Sequence, residues 1–212
     1  MEIEVTQAGP AAASPRIGRR HVLGAGVGGA ALSLLPFLAG RAQASAGDTT
    51  TTAPPLPPTD ADVALLGQAQ QIELTFVDLF ETAIAAADWS DDEAAVMVEF
   101  REAHKEYAAA LSALLGRHAP NTPSESLMGS LVAGFSGAKD GILSAAYDAE
   151  SGAVAAHDEI LGQLQGTNGA VLIASIQMAE ARHCTALAAL SGATDLAQLL
   201  VDDEADALQV NG

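Results

Sequence analysis

Four long segments between residues 60 and 192 each carry an apolar stripe at three-four spacing, and each stripe is interrupted near its middle by an ionisable residue. The first reads Leu66, Ala69, Glu73, Phe76, Phe80, Ala83. The second reads Met97, Arg101, His104, Ala108, Leu111, Leu115. The third reads Leu143, Tyr147, Glu150, Val154, His157, Leu161, Leu164, and the fourth reads Ile173, Ile176, Glu180, His183, Leu187, Leu190. Such spacing is the face that a helix buries in a bundle. Carboxylates are almost never fully buried without a partner. An isolated buried charge costs several kcal/mol even after relaxation. Ionisable groups at matching depth on four helices are therefore expected to meet one another at mid-bundle.

The joints fix the topology. Thr59 or Asp60 caps a helix running to about Ala87, and Ser90-x-x-Glu93 is a capping box opening a second helix that ends near Leu115 and Gly116. Two further helices are expected at about 141–165 and 169–190, closed by Gly192. The first pair is joined by a few residues around Ala87–Ser90 and the second by Gly166-Thr167-Asn168, so each pair forms an antiparallel hairpin. About 25 residues, Gly116 to Asp140, separate the hairpins, enough to cross the length of a bundle. They contain a short amphipathic piece with Leu127, Met128, Leu131, Val132 and Phe135. The pattern predicts an all-α four-helix bundle over 60–192. A short helix, Asp195–Val201, and a solvated acidic tail are expected over 193–212.

Residues 1–44 read as a secretory leader. Arg19-Arg20 stand directly before an apolar run from Val22 to Gly40, and Ala42-Gln43-Ala44 offers a small-x-small cleavage site. The paired arginines and a glycine-rich apolar run favour the twin-arginine route, which carries folded passengers. An uncleaved membrane anchor is the competing reading, but five glycines in the run each weaken a helix by roughly 1 kcal/mol relative to alanine. Residues 45–59, with Thr49–Thr52 and four prolines, make an extended linker. The 212-residue chain has a formal charge of −18, which becomes −20 once the leader is removed. A polyanion of this kind disfavours nucleic acid and anionic lipid as partners, and no stable membrane insertion is expected after cleavage. Nothing in the pattern decides for or against a homo-oligomer. The single cysteine, Cys184, excludes an internal disulfide and a Cys-rich metal cluster, and reads as a small buried hydrophobe.

The run Gln177-Met178-Ala179-Glu180-Ala181-Arg182-His183 contains a Glu-x-x-His on the last long helix, which sets a carboxylate and an imidazole one turn apart on the same face. With two hairpins and a long crossover, the chain from about Asp60 to Gly192 resembles the ferritin-like domain proteins that many bacteria export. In the di-metal members of that fold, two helices give one Glu each and two give a Glu-x-x-His each. The resemblance implies metal ligation, by iron or manganese, from Glu73, His104, Glu150, Glu180 and His183. It departs from the pattern where Arg101 stands three residues before His104, the place of the fourth carboxylate. Arginine stays protonated and cannot ligate. Three glutamates and one arginine sum to −2, which matches one divalent ion, or none if protons or solvent neutralise it; the competing reading is a metal-free salt-bridge network of Arg101 with Glu73, Glu150 or Glu180.

Other residues have plainer readings. His157 is expected as a hydrogen-bonded core or rim histidine, His118 as a solvated one, Tyr107 and Tyr147 as packing, and Trp89 as a cover on the bundle end. Two functions stay open. One is an exported ferritin-like protein handling iron or manganese or consuming oxidants. The other is a bundle with a degenerate, metal-free site serving as a structural or interaction module of the cell envelope. The chain has no Gly-x-Ser-x-Gly, and its glycine-rich stretch at 24–29 lies in the leader, so a hydrolase or nucleotide-binding reading finds no motif.

Overall fold

The computed structural model describes residues 58–210. The leader and most of the linker lie outside the described residues. Helix α1 spans Asp60–Ala86, α2 Asp91–Leu115, α3 Glu125–Leu131, α4 Lys139–Leu161 and α5 Thr167–Leu190. Three-residue and four-residue 3-10 turns at Gly116–His118, Val132–Phe135 and Ala197–Leu199 complete the order. No strand occurs among the described residues. The helices α1 and α2 form one hairpin and α4 and α5 the other, with α3 and its following turn on the crossover between them.

Side chains set the helix starts. Thr59 accepts the Asp62 amide at 3.2 Å, and the Asp62 carboxylate takes the Thr59 amide in return. Asp62 also accepts the amides of Gln165 at 2.8 Å and Gly166 at 3.0 Å, tying the start of α1 to the α4–α5 turn. These donors, the Gln165 amide foremost, lower the Asp62 pKa. A Cβ on Gly166 would stand 2.9 Å from Asp62 Oδ2, so a side chain there would displace the carboxylate from these amides. Ser90 and Glu93 close the second capping box, and Glu93 bonds Lys139 at 2.9 Å, joining the starts of α2 and α4. Helix α4 begins and ends a few residues earlier than its stripe suggests. Its inward face runs through Ala146, Ala149, Ala153 and Ala156, which leaves Tyr147, Val154 and Leu161 half-buried.

The expectations at the C-terminus need correction. Asp195–Val201 forms a single 3-10 turn rather than a short α-helix. Asp202, Asp203 and Glu204 are exposed as expected, but the segment 202–210 returns along the bundle as a strap. The Asp202 amide bonds Ser151 Oγ at 3.3 Å, and the Leu208 amide bonds the Gly152 carbonyl at 3.1 Å. Ser124 and Ser126 both donate to the Val210 carbonyl at 2.8 Å. The hydroxyl of Tyr147 donates to the Leu200 carbonyl. A Cβ on Gly152 would meet Leu208 at 3.0 Å and the Asp206 carbonyl at 3.1 Å, so the strap lies against bare helix backbone. The carboxylates of this segment could not announce this, because its anchors are main-chain groups and two apolar side chains.

A candidate metal centre between two apolar layers

The buried apolar residues fall into two clusters. One holds Phe76, Phe80, Met97, Phe100 and Phe135, and the other holds Leu66, Tyr107, Leu111, Ile173 and Ile176. Between them lies an ionic layer of Glu73, His104, Glu150, His157, Glu180 and His183, none more than 2% exposed. Helix α1 supplies Glu73, α2 His104, α4 Glu150 and His157, and α5 Glu180 and His183.

The six side chains alternate carboxylate and imidazole in one continuous chain. His157 Nδ1 stands 2.7 Å from Glu180 Oε2, and His157 Nε2 stands 3.3 Å from Glu73 Oε1. His104 Nδ1 is 2.7 Å from Glu73 Oε2, and its Nε2 is 3.0 Å from Glu150 Oε1. His183 Nδ1 follows at 3.1 Å from the same Glu150 oxygen. The chain crosses twice between hairpins, at His157–Glu73 and at His104–Glu150. Rings wall it in: Phe100 lies 4.4 Å from His183, and Phe76 4.7 Å from His104, by ring centroids.

Burial and charge act against each other along this layer. Burial alone would lower the His104 pKa, but the Glu150 and Glu73 carboxylates outweigh it and raise the imidazole to about 10. Burial would raise Glu150, yet His183 and His104 hold it at about 2. For Glu180 burial prevails, with Glu73 adding to it and His157 opposing, and the pKa rises to about 7. The hydroxyl of Tyr107 and the thiol of Cys184 are both pushed up, by burial first and by nearby carboxylates second.

The ligand expectation for Glu73, His104, Glu150, Glu180 and His183 thus finds all five side chains in one layer. His157 is the buried, hydrogen-bonded core histidine that its stripe suggests, and it stands between Glu180 and Glu73. It lies seven residues beyond Glu150, outside the Glu-x-x-His spacing that implies ligands. One expectation is corrected. Arg101 does not enter the layer. It bonds Glu102 at 2.7 Å with its side chain 27% exposed. At this turn of α2 the inward place belongs to Phe100, which packs on Phe80 and His183. An apolar ring one residue earlier fills the position at lower desolvation cost than a guanidinium.

Residues 61–193 match the family model for the ferritin-like domain. The chain belongs to the ferritin-like domain family. Neither the curated proteins nor the solved structures give a match to it. The ferritin-like layer offers two groups suited to a cation. One ligand atom each of His104, Glu150 and His183 lies within 4.8 Å of the other two, and the same holds for Glu73, His157 and Glu180. A metal-free pairing of these residues leaves buried polar atoms without hydrogen bonds: Glu73 Oε1, Glu150 Oε2, Glu180 Oε1, His157 Nε2 and the Tyr107 hydroxyl. Each such atom costs about 1–3 kcal/mol, more for charged groups. Three of the five are carboxylate oxygens and one is a ring nitrogen, the donor types that first-row transition ions take. The residues fit such ions.

Proposed function

We propose that this ferritin-like protein is exported and holds iron or manganese in the core of its bundle, for metal handling or defence against oxidants. The observation that carries the metal reading is the buried layer of three carboxylates and three imidazoles, with one oxygen on each carboxylate that accepts no hydrogen bond. Mixed nitrogen and oxygen ligands suit these metals. The limit of one ion rested on an arginine in the site, and Arg101 stands outside it. With neutral imidazoles the layer carries −3, so one divalent ion leaves a net −1 and two leave +1. Ligand number then favours two ions, one for each group of three. Bound iron or manganese would supply redox and Lewis-acid chemistry, while the surrounding rings exclude bulk water from it.

Metal analysis of protein purified without added metal tests this reading. Iron or manganese at up to two ions per chain, reduced to at most one in Glu180→Ala, is the expected result. An empty wild type that takes up neither ion on titration would overturn it. In that event the layer is a structural carboxylate–imidazole network. That second reading is favoured by the Glu–His contacts of 2.7 to 3.1 Å, which pair the groups directly with one another. Export rests on Arg19-Arg20 and the apolar run after them. Replacing both arginines by lysine is expected to leave the protein in the cytoplasm, read by fractionation. Among the described residues no helix is long and apolar enough to cross a membrane.

A further inference from the structure

The two groups of ligands are not equivalent. His104, Glu150 and His183 offer two imidazoles and one carboxylate; Glu73, His157 and Glu180 offer one imidazole and two carboxylates. The first carries −1 and the second −2 when the imidazoles are neutral. Imidazole suits iron, cobalt and zinc, whereas carboxylate suits manganese and magnesium. Affinity for nitrogen-containing sites also rises along the first row from Mn2+ to Co2+ and beyond. The inequality is a property of this chain's own layer. Helices α4 and α5 each give one Glu and one His, one to each group, so the inequality arises because α1 contributes Glu73 to one group and α2 contributes His104 to the other.

The outer contacts differ as well. In the nitrogen-rich group, His104 Nδ1 bonds Glu73 Oε2 at 2.7 Å. A carboxylate on the far ring nitrogen fixes the ring and leaves Nε2, the nitrogen facing Glu150, with its lone pair toward the group. In the oxygen-rich group, His157 Nδ1 is taken by Glu180, itself a member of that group, and the facing Nε2 makes only the 3.3 Å approach to Glu73. The His104 ring of the first group is therefore held by a carboxylate outside it, whereas the His157 ring of the second is held only by members of its own group.

We infer that the centre is a pair of unequal sites: His104–Glu150–His183 fills first and prefers later first-row ions such as Co2+ or Zn2+, and Glu73–His157–Glu180 fills second and accepts Mn2+. This rests on the metal-binding reading above. Changes in outer contacts alone move metal affinity 10–100-fold, so a different inner ligand set is expected to separate the two steps by at least about ten-fold.

The test is a titration of the full chain, freed of metal, with Co2+ followed by visible absorption and calorimetry. A competition with two equivalents each of Zn2+ and Mn2+ follows, read by metal analysis and by the Mn2+ paramagnetic resonance signal. Two resolved Co2+ steps and a chain holding one Zn2+ and one Mn2+ are expected. His183→Gln should remove the tight Co2+ step and spare Mn2+ uptake, and Glu180→Gln should do the reverse. Two equal steps, a single equivalent of either ion, or two Zn2+ displacing all Mn2+ would overturn the inequality while leaving metal binding intact. No uptake of any ion would overturn the metal reading itself. If a variant fails to fold, as judged by circular dichroism, the wild-type competition alone decides.

Discussion

At the scale of single residues, neighbours on a helix decide what a charge can do. Arg101 and Phe100 differ by one position, and that difference separates a surface ion pair from a wall of the centre. Arg101→Ala should leave metal stoichiometry unchanged and shift stability by no more than about 1 kcal/mol, the usual range for an exposed pair. Metal analysis and urea unfolding of the variant check both. His157→Ala should behave differently. It removes a ligand and leaves Glu180 and Glu73 without their partner, and loss of one member of a buried ionic pair costs roughly 3–5 kcal/mol. A melting temperature within a degree of the wild type would show that His157 does not carry the layer. Glu73, His104, Glu150, Glu180 and His183 were legible from stripe position and from one Glu-x-x-His. The place of His157 between Glu180 and Glu73 and the outward turn of Arg101 were not, because a stripe fixes a helix face only to about one residue, and facing elements select the rotation.

At the scale of elements, the capping signals and connection lengths were legible, since both are local. The ends of α4 and the path of the C-terminal strap were not. An alanine-rich helix such as α4 can rotate with little loss of apolar burial, and the strap is held by contacts remote in sequence. Ser124 shows how much one side chain can hold. Its hydroxyl caps α3 by accepting the Leu127 amide at 3.2 Å and donates to the Val210 carbonyl at 2.8 Å. Ser124→Ala is expected to cost about 1–2 kcal/mol through the lost cap and the lost strap bond. Gly152→Val should displace the strap outright, because Leu208 and the Asp206 carbonyl already stand 3.0 and 3.1 Å from the place of its Cβ. Faster trimming of the C-terminus by a carboxypeptidase, with the bundle core intact by circular dichroism, is the expected readout.

Across the whole molecule, the ionic layer gives the metal-free protein a narrow pH optimum. Glu150 is depressed to about 2, so its contribution is present above the ordinary value of 4.5 and is lost as pH falls toward 2. His104 is raised to about 10, so its contribution is full below 6.5 and lost as pH rises through 10. Glu180 is raised to about 7, so its contribution is full below 4.5 and lost as pH rises through 7. The metal-free chain should therefore melt highest near pH 4.5 and lose stability as pH rises from there toward 10. Metal binding requires neutral imidazoles and ionised carboxylates and so strengthens with pH. Calorimetric scans with and without Mn2+ should show the two curves diverging above pH 7, and parallel curves would count against ion binding in this layer.

Each group of three draws one residue from the α1–α2 hairpin and two from the α4–α5 hairpin. An ion in either place would rivet the two halves together, so opening of the bundle along that seam would require the ion to leave. Turnover of the chain would then follow metal supply. A starved cell would clear the protein through proteolysis of its parted halves, and a replete one would keep it, with no dedicated sensor beyond the bundle itself.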